Sequence, residues 1–296
     1  MVSLNGFIVS DGSDFIETIE LQCILIVETT PIENFRTSGL GQSLAKYYAK
    51  RLDSMVLANV AGNRLLLCFA ADPRELTTVC NGLKACQETW KFDSLICVHE
   101  RTSRILEMQV HEKDGSTSKL CENGAIAVGC FLGAEQGVLE LLVSNKTLSV
   151  GTEAGFGFVD FPKNWDHLNA RASNDVQEYS IVGEPHVVMI VDDAHGIGQN
   201  EFKELASRFP NRNTTIASKH GDYLTHARTY ERGVNAETGA CGTGALAACY
   251  ALSMMSGQSA KKQITVEMSG GALFVNCNLD FDRLSAVCRL QKVLTE

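Results

Sequence analysis

Cys121 and Cys241 stand in matching settings. Cys121 opens Cys121-Glu-Asn-Gly124-Ala125-Ile-Ala127 and Cys241 opens Cys241-Gly-Thr-Gly244-Ala245-Leu-Ala247, so both read Cys-x-x-Gly-Ala-x-Ala. Each motif leads into a small-residue run that reads as a helix. A helix start leaves N–H groups without partners and carries partial positive charge, so it suits an anion and a thiolate. Such a position brings a cysteine pKa from about 8.5 into roughly 3.5–7.5. Two facing sites would hold one carboxylate on the N–H groups of Glu122, Asn123, Gly242 and Thr243, with its α-carbon between the thiols. One thiolate then removes the α-proton and the other thiol reprotonates the opposite face. The repeat favours this over the bland reading, in which Cys-Gly-Thr-Gly is only tight packing.

The elements that must position this pair repeat as well. Strands, a central helix and further strands run from Met55 to Asp160, with a predicted extra helix from Asp72 to about Cys86 and a Lys113-Asp114-Gly115 turn. Residues 166–283 repeat the plan, with helices at Asn200–Arg208 and from the second motif to Met255. The pattern predicts α+β architecture: two pseudo-symmetric domains, each a curved antiparallel or mixed sheet wrapped around a central helix. The expected boundaries are an N-terminal extension (1–51), a first domain (52–165), a second (166–283) and a C-terminal strand (284–296) returning to the first. The polar stretch Asn164–Asp175 reads as the link. Ile19–Val27 reads as a strand and Ser43–Leu52 as an amphipathic helix, covering an edge or a partner surface.

Composition narrows the function. A net charge of −9 argues against an electrostatic nucleic-acid binder. No apolar run approaches the roughly 18–20 residues that span a bilayer, so no membrane partner is expected. The 11 cysteines show no Cys-x-x-Cys, and the 7 histidines do not cluster with them in sequence, so no metal site is expected. Many thiols and no signal peptide fit a reducing cytoplasm. Cys130 and Cys249 read as core, and Cys23, Cys68, Cys80, Cys86, Cys97, Cys277 and Cys288 as core or surface thiols.

Over about residues 52–296 the chain resembles the diaminopimelate epimerase family of pyridoxal-phosphate-independent racemases. The resemblance rests on Glu231-Arg-Gly-Val-Asn-Ala-Glu-Thr-Gly-Ala-Cys-Gly-Thr-Gly-Ala245, on Asp114-Gly-Ser with Cys121-x-Asn-Gly-Ala125, on Gly183-x-Pro-His186, and on the Gly62-Asn63 turn. It implies a two-domain fold with the site in the cleft, no cofactor, a homodimer and a small amino-acid substrate. It implies Cys121 and Cys241 as the acid/base pair, His186 and Glu231 as polar support, and Gly242 and Thr243 as carboxylate holders. Asn63, Asn123 and Gly124 fall on the family's substrate-side motifs.

Departures from the family pattern bear on the substrate. Glu122 stands where the family has Gly, and Glu112 and Glu184 where it has Asn. A later family Asn aligns with Thr214, or with Asn213 if the loop shifts by one. In the family these asparagines, with the residue matching Arg232, grip the substrate's distal ammonium and carboxylate. Carboxylates there would repel a distal carboxylate and attract a cation. The expectation is a racemase for a basic amino acid such as lysine, ornithine, arginine or histidine. Arg232 argues against it unless a neighbouring Glu neutralises it. Diaminopimelate as substrate is the alternative. A related isomerase of a non-amino-acid ring and a non-catalytic binding protein on the same fold are the remaining readings, and both intact cysteines argue against them.

Overall fold

Two helices of this chain are apolar on all sides, which is the signature of a helix surrounded by protein. α1 (Glu122–Gln136) and α3 (Gly242–Ser256) are of this kind, whereas α2 (Gln199–Ser207) buries only one side through Phe202 and Ala206. Ala125, Ile126, Ala127, Val128 and Cys130 of α1, and Ala245 to Cys249 and Ala251 of α3, are sealed from solvent. A computed structural model of the chain describes residues 27–31, 54–70, 91–102, 104–112, 116–118, 120–143, 146–162, 171–173, 176–181, 183–256, 263–277 and 281–294. The predicted Ser43–Leu52 and Asp72–Cys86 helices, the Lys113–Gly115 turn and residues 19–26 lie outside these. Val27–Pro31 is a strand.

Among the described residues the strands join in one continuous sheet that wraps both helices. Each half follows one plan. In the first, Ser54–Val60 pairs antiparallel with Asn63–Ala70, which runs parallel to Ser94–Thr102, itself antiparallel to Ile105–Glu112. After α1, Leu139–Val143 returns parallel to Ile105–Glu112, and Lys146–Glu153 and Phe156–Pro162 follow antiparallel. The second half repeats this order with Val176–Ile181, Glu184–Ile190, Asn213–Lys219, Leu224–Glu231, α3, Gln263–Met268, Gly271–Cys277 and Phe281–Ala286. The fold is α+β.

The last strands of the two halves pair with each other, Phe156–Pro162 against Phe281–Ala286. Arg283 grips its ladder partner Asp160 with two hydrogen bonds, of 2.7 and 2.8 Å. Cys288–Leu294 then crosses to pair antiparallel with Ser54–Val60, and Val27–Pro31 lies parallel along its other edge. Arg171–Ser173, inside the stretch read as a link, is instead a short strand beside Val176–Ile181. Cys130 and Cys249 are core residues, and Cys97, expected as a thiol, is buried and disulfide-bonded.

Candidate active site

The two cysteines close their helices in the same way. Cys121 caps α1 from an extended backbone (φ −127°, ψ 108°), and its Sγ accepts from the Gly124 N–H at 3.4 Å. Cys241 precedes α3, and its Sγ accepts from the Gly244 N–H at 3.4 Å. Their carbonyls receive Ala125 and Ala245 at 2.9 and 3.0 Å. Both are free thiols. The two helix starts abut. A Cβ on Gly242 would lie 2.7 Å from the Glu122 Cβ, so only glycine fits there. Asn123 Nδ2 reaches the Ala240 carbonyl at 3.4 Å, one residue before Cys241.

Behind Cys241 runs a buried polar relay. The Cys241 Sγ lies 3.5 Å from Thr243 Oγ1, which lies 3.0 Å from His186 Nε2. Asn213 Nδ2 reaches the same nitrogen at 3.4 Å, and Thr215 Oγ1 lies 3.5 Å from Nδ1. One assignment satisfies every contact: His186 carries hydrogen on Nδ1, and Nε2 accepts from Thr243 and Asn213. Burial, and then the charge of Arg232, pushes the His186 pKa down to about 3, so the ring is neutral. Asn213 Oδ1 holds the Arg232 N–H at 3.0 Å. Thr238 Oγ1 donates to Glu231, whose carboxyl also bonds Cys241.

Carboxylates crowd the thiols. Glu112 accepts from Ser94 Oγ at 2.8 Å. Arg232 Nη2 is paired to Glu184 at 2.8 Å. The Glu122 carboxylate accepts from its own backbone N–H, so one of the donors expected to hold a substrate carboxylate is already engaged. Enclosure by protein, then the charges of Glu231, Glu184 and Glu112, push the Glu122 pKa up to about 8. Burial likewise raises Glu231.

The expectation of helix-lowered thiol pKa values is overturned. Burial raises Cys121 far above its ordinary value, helped by Glu122, Glu112 and Glu231 and opposed by the Gly124 N–H. Cys241 is raised by burial, Glu231 and Glu122, against Thr243 and Gly244. Desolvation and adjacent anions outweigh one N–H donor at each site.

The structure thus brings together Cys121, Cys241, His186, Glu231, Glu112, Glu122, Asn123, Gly124, Glu184, Asn213, Arg232, Gly242 and Thr243. It leaves Thr214 out. Along a strand alternate residues face opposite ways, so Asn213 and Thr215 meet His186 while Thr214 points away, buried and without a hydrogen-bond partner. Asn63 follows a turn in which Gly62 packs on Gly270, which bonds Gly239 just ahead of the second motif. The Oδ1 atoms of Asn63 and Asn123 are buried without partners. Sequence reading missed Ser94, Thr215, Thr238 and Thr229, whose Oγ1 lies 3.1 Å from that of Thr215. Only the two-residue spacing of Thr215 from Asn213 signalled any of them.

The family model described as diaminopimelate epimerase matches residues 179–288. The diaminopimelate epimerase of Campylobacter lari is 30% identical over 187 residues, 59% of this chain and 71% of the relative. That of Acinetobacter baumannii is 32% identical over 217 residues, 62% and 74% of the two chains. The chain belongs to the diaminopimelate epimerase family. It is an isomerase of the racemase and epimerase class. Solved structures share the diaminopimelate epimerase-like fold at low identity. A putative phenazine biosynthesis PhzC/PhzF protein of Clostridium difficile matches with a TM-score of 0.60 at 11% identity, covering 82% of this chain and 100% of that one. A hydroxyproline epimerase of Agrobacterium vitis matches with a TM-score of 0.51 at 10% identity, covering 82% and 92%. Among the described residues no helix is long and apolar enough to cross a membrane.

Proposed function

We propose that this family member racemises a basic amino acid by proton transfer between Cys121 and Cys241, without an electron-sink cofactor. The observation that carries the substrate class is the set of carboxylates around the thiols. Glu184 is spent on Arg232, which leaves Glu112 and Glu231, joined by Glu122 as pH rises through about 8, to attract a substrate cation. The unpartnered acceptors Asn63 Oδ1 and Asn123 Oδ1 suit an N–H-rich substrate rather than an acidic one. A cationic side chain would also offset the carboxylates that add to burial in keeping both thiols protonated, so binding would itself ease thiolate formation. The thiolate takes the α-proton onto sulfur as the opposite thiol delivers its own proton to the other face. The two cysteines then exchange protonation states before the next turnover in the same direction. Free N–H groups at the two helix starts face the charge that develops on the substrate carboxylate. One such donor is typically worth about 3–4 kcal/mol.

Diaminopimelate is the second reading. It is what the relatives' names state, and Arg232 favours it as a partner for a distal carboxylate. Deuterium incorporation at the α-carbon in D₂O, under reductant and without added pyridoxal phosphate, separates the two. The substrates are L-lysine, L-ornithine, L-arginine and L-histidine beside LL- and meso-diaminopimelate. Exchange into a basic amino acid, abolished in Cys241→Ala, is the expected result. Exchange into diaminopimelate alone would keep the two-thiol chemistry and refute the cationic substrate.

A further inference from the structure

Away from the two thiols, the second half brings together side chains of two stretches, Asp193 with His195 and His220 with His226. Asp193 and His195 sit in the connection from Glu184–Ile190 to α2, His220 follows Asn213–Lys219, and His226 stands on Leu224–Glu231. The three rings stack. His195 and His220 flank His226 with centroids 4.3 and 3.8 Å away. One donor atom from each of Asp193, His220 and His226 falls within 4.8 Å of the others. None of these residues belongs to the thiol network.

The sheet builds this cluster by register. Ser218 faces His226 across the antiparallel ladder and Glu267 faces it across the parallel one. Glu267 Oε2 lies 3.1 Å from His226 Nε2. Ser218 Oγ accepts from the Ala194 N–H at 3.0 Å and lies 3.3 Å from His220 Nε2. Asp193 Oδ1 accepts from the His195 N–H at 3.0 Å. A carboxylate on Nε2–H fixes the tautomer and leaves the Nδ1 lone pair exposed to whatever lies beside it. That Nδ1 is buried and has no hydrogen-bond partner. Buried acceptors without partners are uncommon in folded proteins and call for an explanation.

We propose that Asp193, His220 and His226 form a site for a divalent transition metal of the Zn²⁺ class, with Glu267 orienting His226. A ligating imidazole whose second nitrogen is held by a carboxylate is the usual outer-shell arrangement. Two imidazoles and a carboxylate suit Zn²⁺ and its neighbours rather than Mg²⁺ or Ca²⁺, which take oxygen ligands. Bonds of about 2.0–2.2 Å require the donor atoms to close to roughly 3.3 Å. Asp193 and His220 are exposed and have room to swing inward, so metal binding gives up the His220 stack. Nothing in the sequence signalled the cluster, because Asp193 comes from a connection far from the hairpin that carries His220 and His226.

The test is Zn²⁺ alone, titrated against a chromophoric chelator with a non-chelating reductant. It uses the full chain and the Cys121→Ser/Cys241→Ser double variant. One Zn²⁺ per chain with Kd tighter than about 10 µM is expected for both. His226→Ala and, on its exposed turn, His220→Ala should each weaken binding by about tenfold or more, and Glu267→Gln by about tenfold. Co²⁺ should bind without a thiolate charge-transfer band. Absence of binding refutes the site. So does binding that persists in both histidine variants, that disappears in the double cysteine variant, or that shows the thiolate band.

Discussion

Glu122 sits at the junction of the two helix starts, against Gly242 and within reach of both thiols' charge. Its pKa near 8 in the free enzyme gives the site a pH signature. A cation is attracted only by the ionised form. The kcat/KM for a basic amino acid should therefore rise as pH increases through about 8, since that ratio reports the free enzyme. Glu122→Gln should remove this limb and raise KM about tenfold or more, the scale of one charge-assisted hydrogen bond. An unchanged profile in the variant would show that Glu122 does not meet the substrate. Stability carries the opposite sign. The folded chain holds the Glu122 proton up to about 8, whereas the unfolded chain releases it near the ordinary 4.5. Stability is thus lost as pH rises through that window. The Tm of Glu122→Gln relative to the parent should climb from pH 5 to pH 8 and then level off. The thiols and His186 were legible in the sequence because each lies in a short motif. The raised thiol pKa values were not, because the carboxylates responsible come from separate elements. Asn213 and Thr214 could not be told apart until the strand's phase was known.

The cysteines immediately precede α1 and α3, so helix placement sets the distance between the thiols. That placement depends on small residues that let the sheet close in. At Gly129 a Cβ would meet the Gly151 N at 2.6 Å and the Gly151 O at 2.9 Å. These are backbone atoms, which cannot swing aside as a side-chain end can. Gly129→Ala should therefore displace α1 and cost about 1–3 kcal/mol, in the range of overpacked cores. Thermal unfolding should show a Tm lower by several degrees, with activity falling further than stability because Cys121 moves with its helix. A variant as stable and active as the parent would show that the sheet yields locally. Both helices were legible from their small-residue runs after Cys121 and Cys241. The parallel pairings that flank them were not, because a strand's pattern does not name its neighbour. The strand Arg171–Ser173 was hidden for a related reason: three residues without an apolar alternation read as a link until pairing with Val176–Ile181 satisfies their backbone.

At the scale of the whole molecule, the duplicated plan joins its halves through the Phe156–Pro162/Phe281–Ala286 ladder with its Arg283–Asp160 pair and through the return of Cys288–Leu294 to Ser54–Val60, and it gathers carboxyl groups around both thiols in a protein of net charge −9. This doubling was readable in the sequence because both cysteine motifs keep the same offsets. The pairing of Glu184 with Arg232 emerged only in the fold, because the two lie far apart in sequence. Fields of gathered carboxylates concentrate counter-charged ligands and are screened by salt. Between ionic strengths of about 10 mM and 100 mM the screening length shrinks from about 30 to about 10 Å. The KM for lysine or arginine, which carry net positive charge at neutral pH, should rise several-fold across that range while kcat stays nearly constant. Diaminopimelate carries no net charge there, so its KM should change little. Steady-state kinetics at two salt concentrations with both substrate types is enough to decide. A KM for the cationic substrate that ignores salt would mean that the carboxylates act only on the thiols and leave substrate choice to shape.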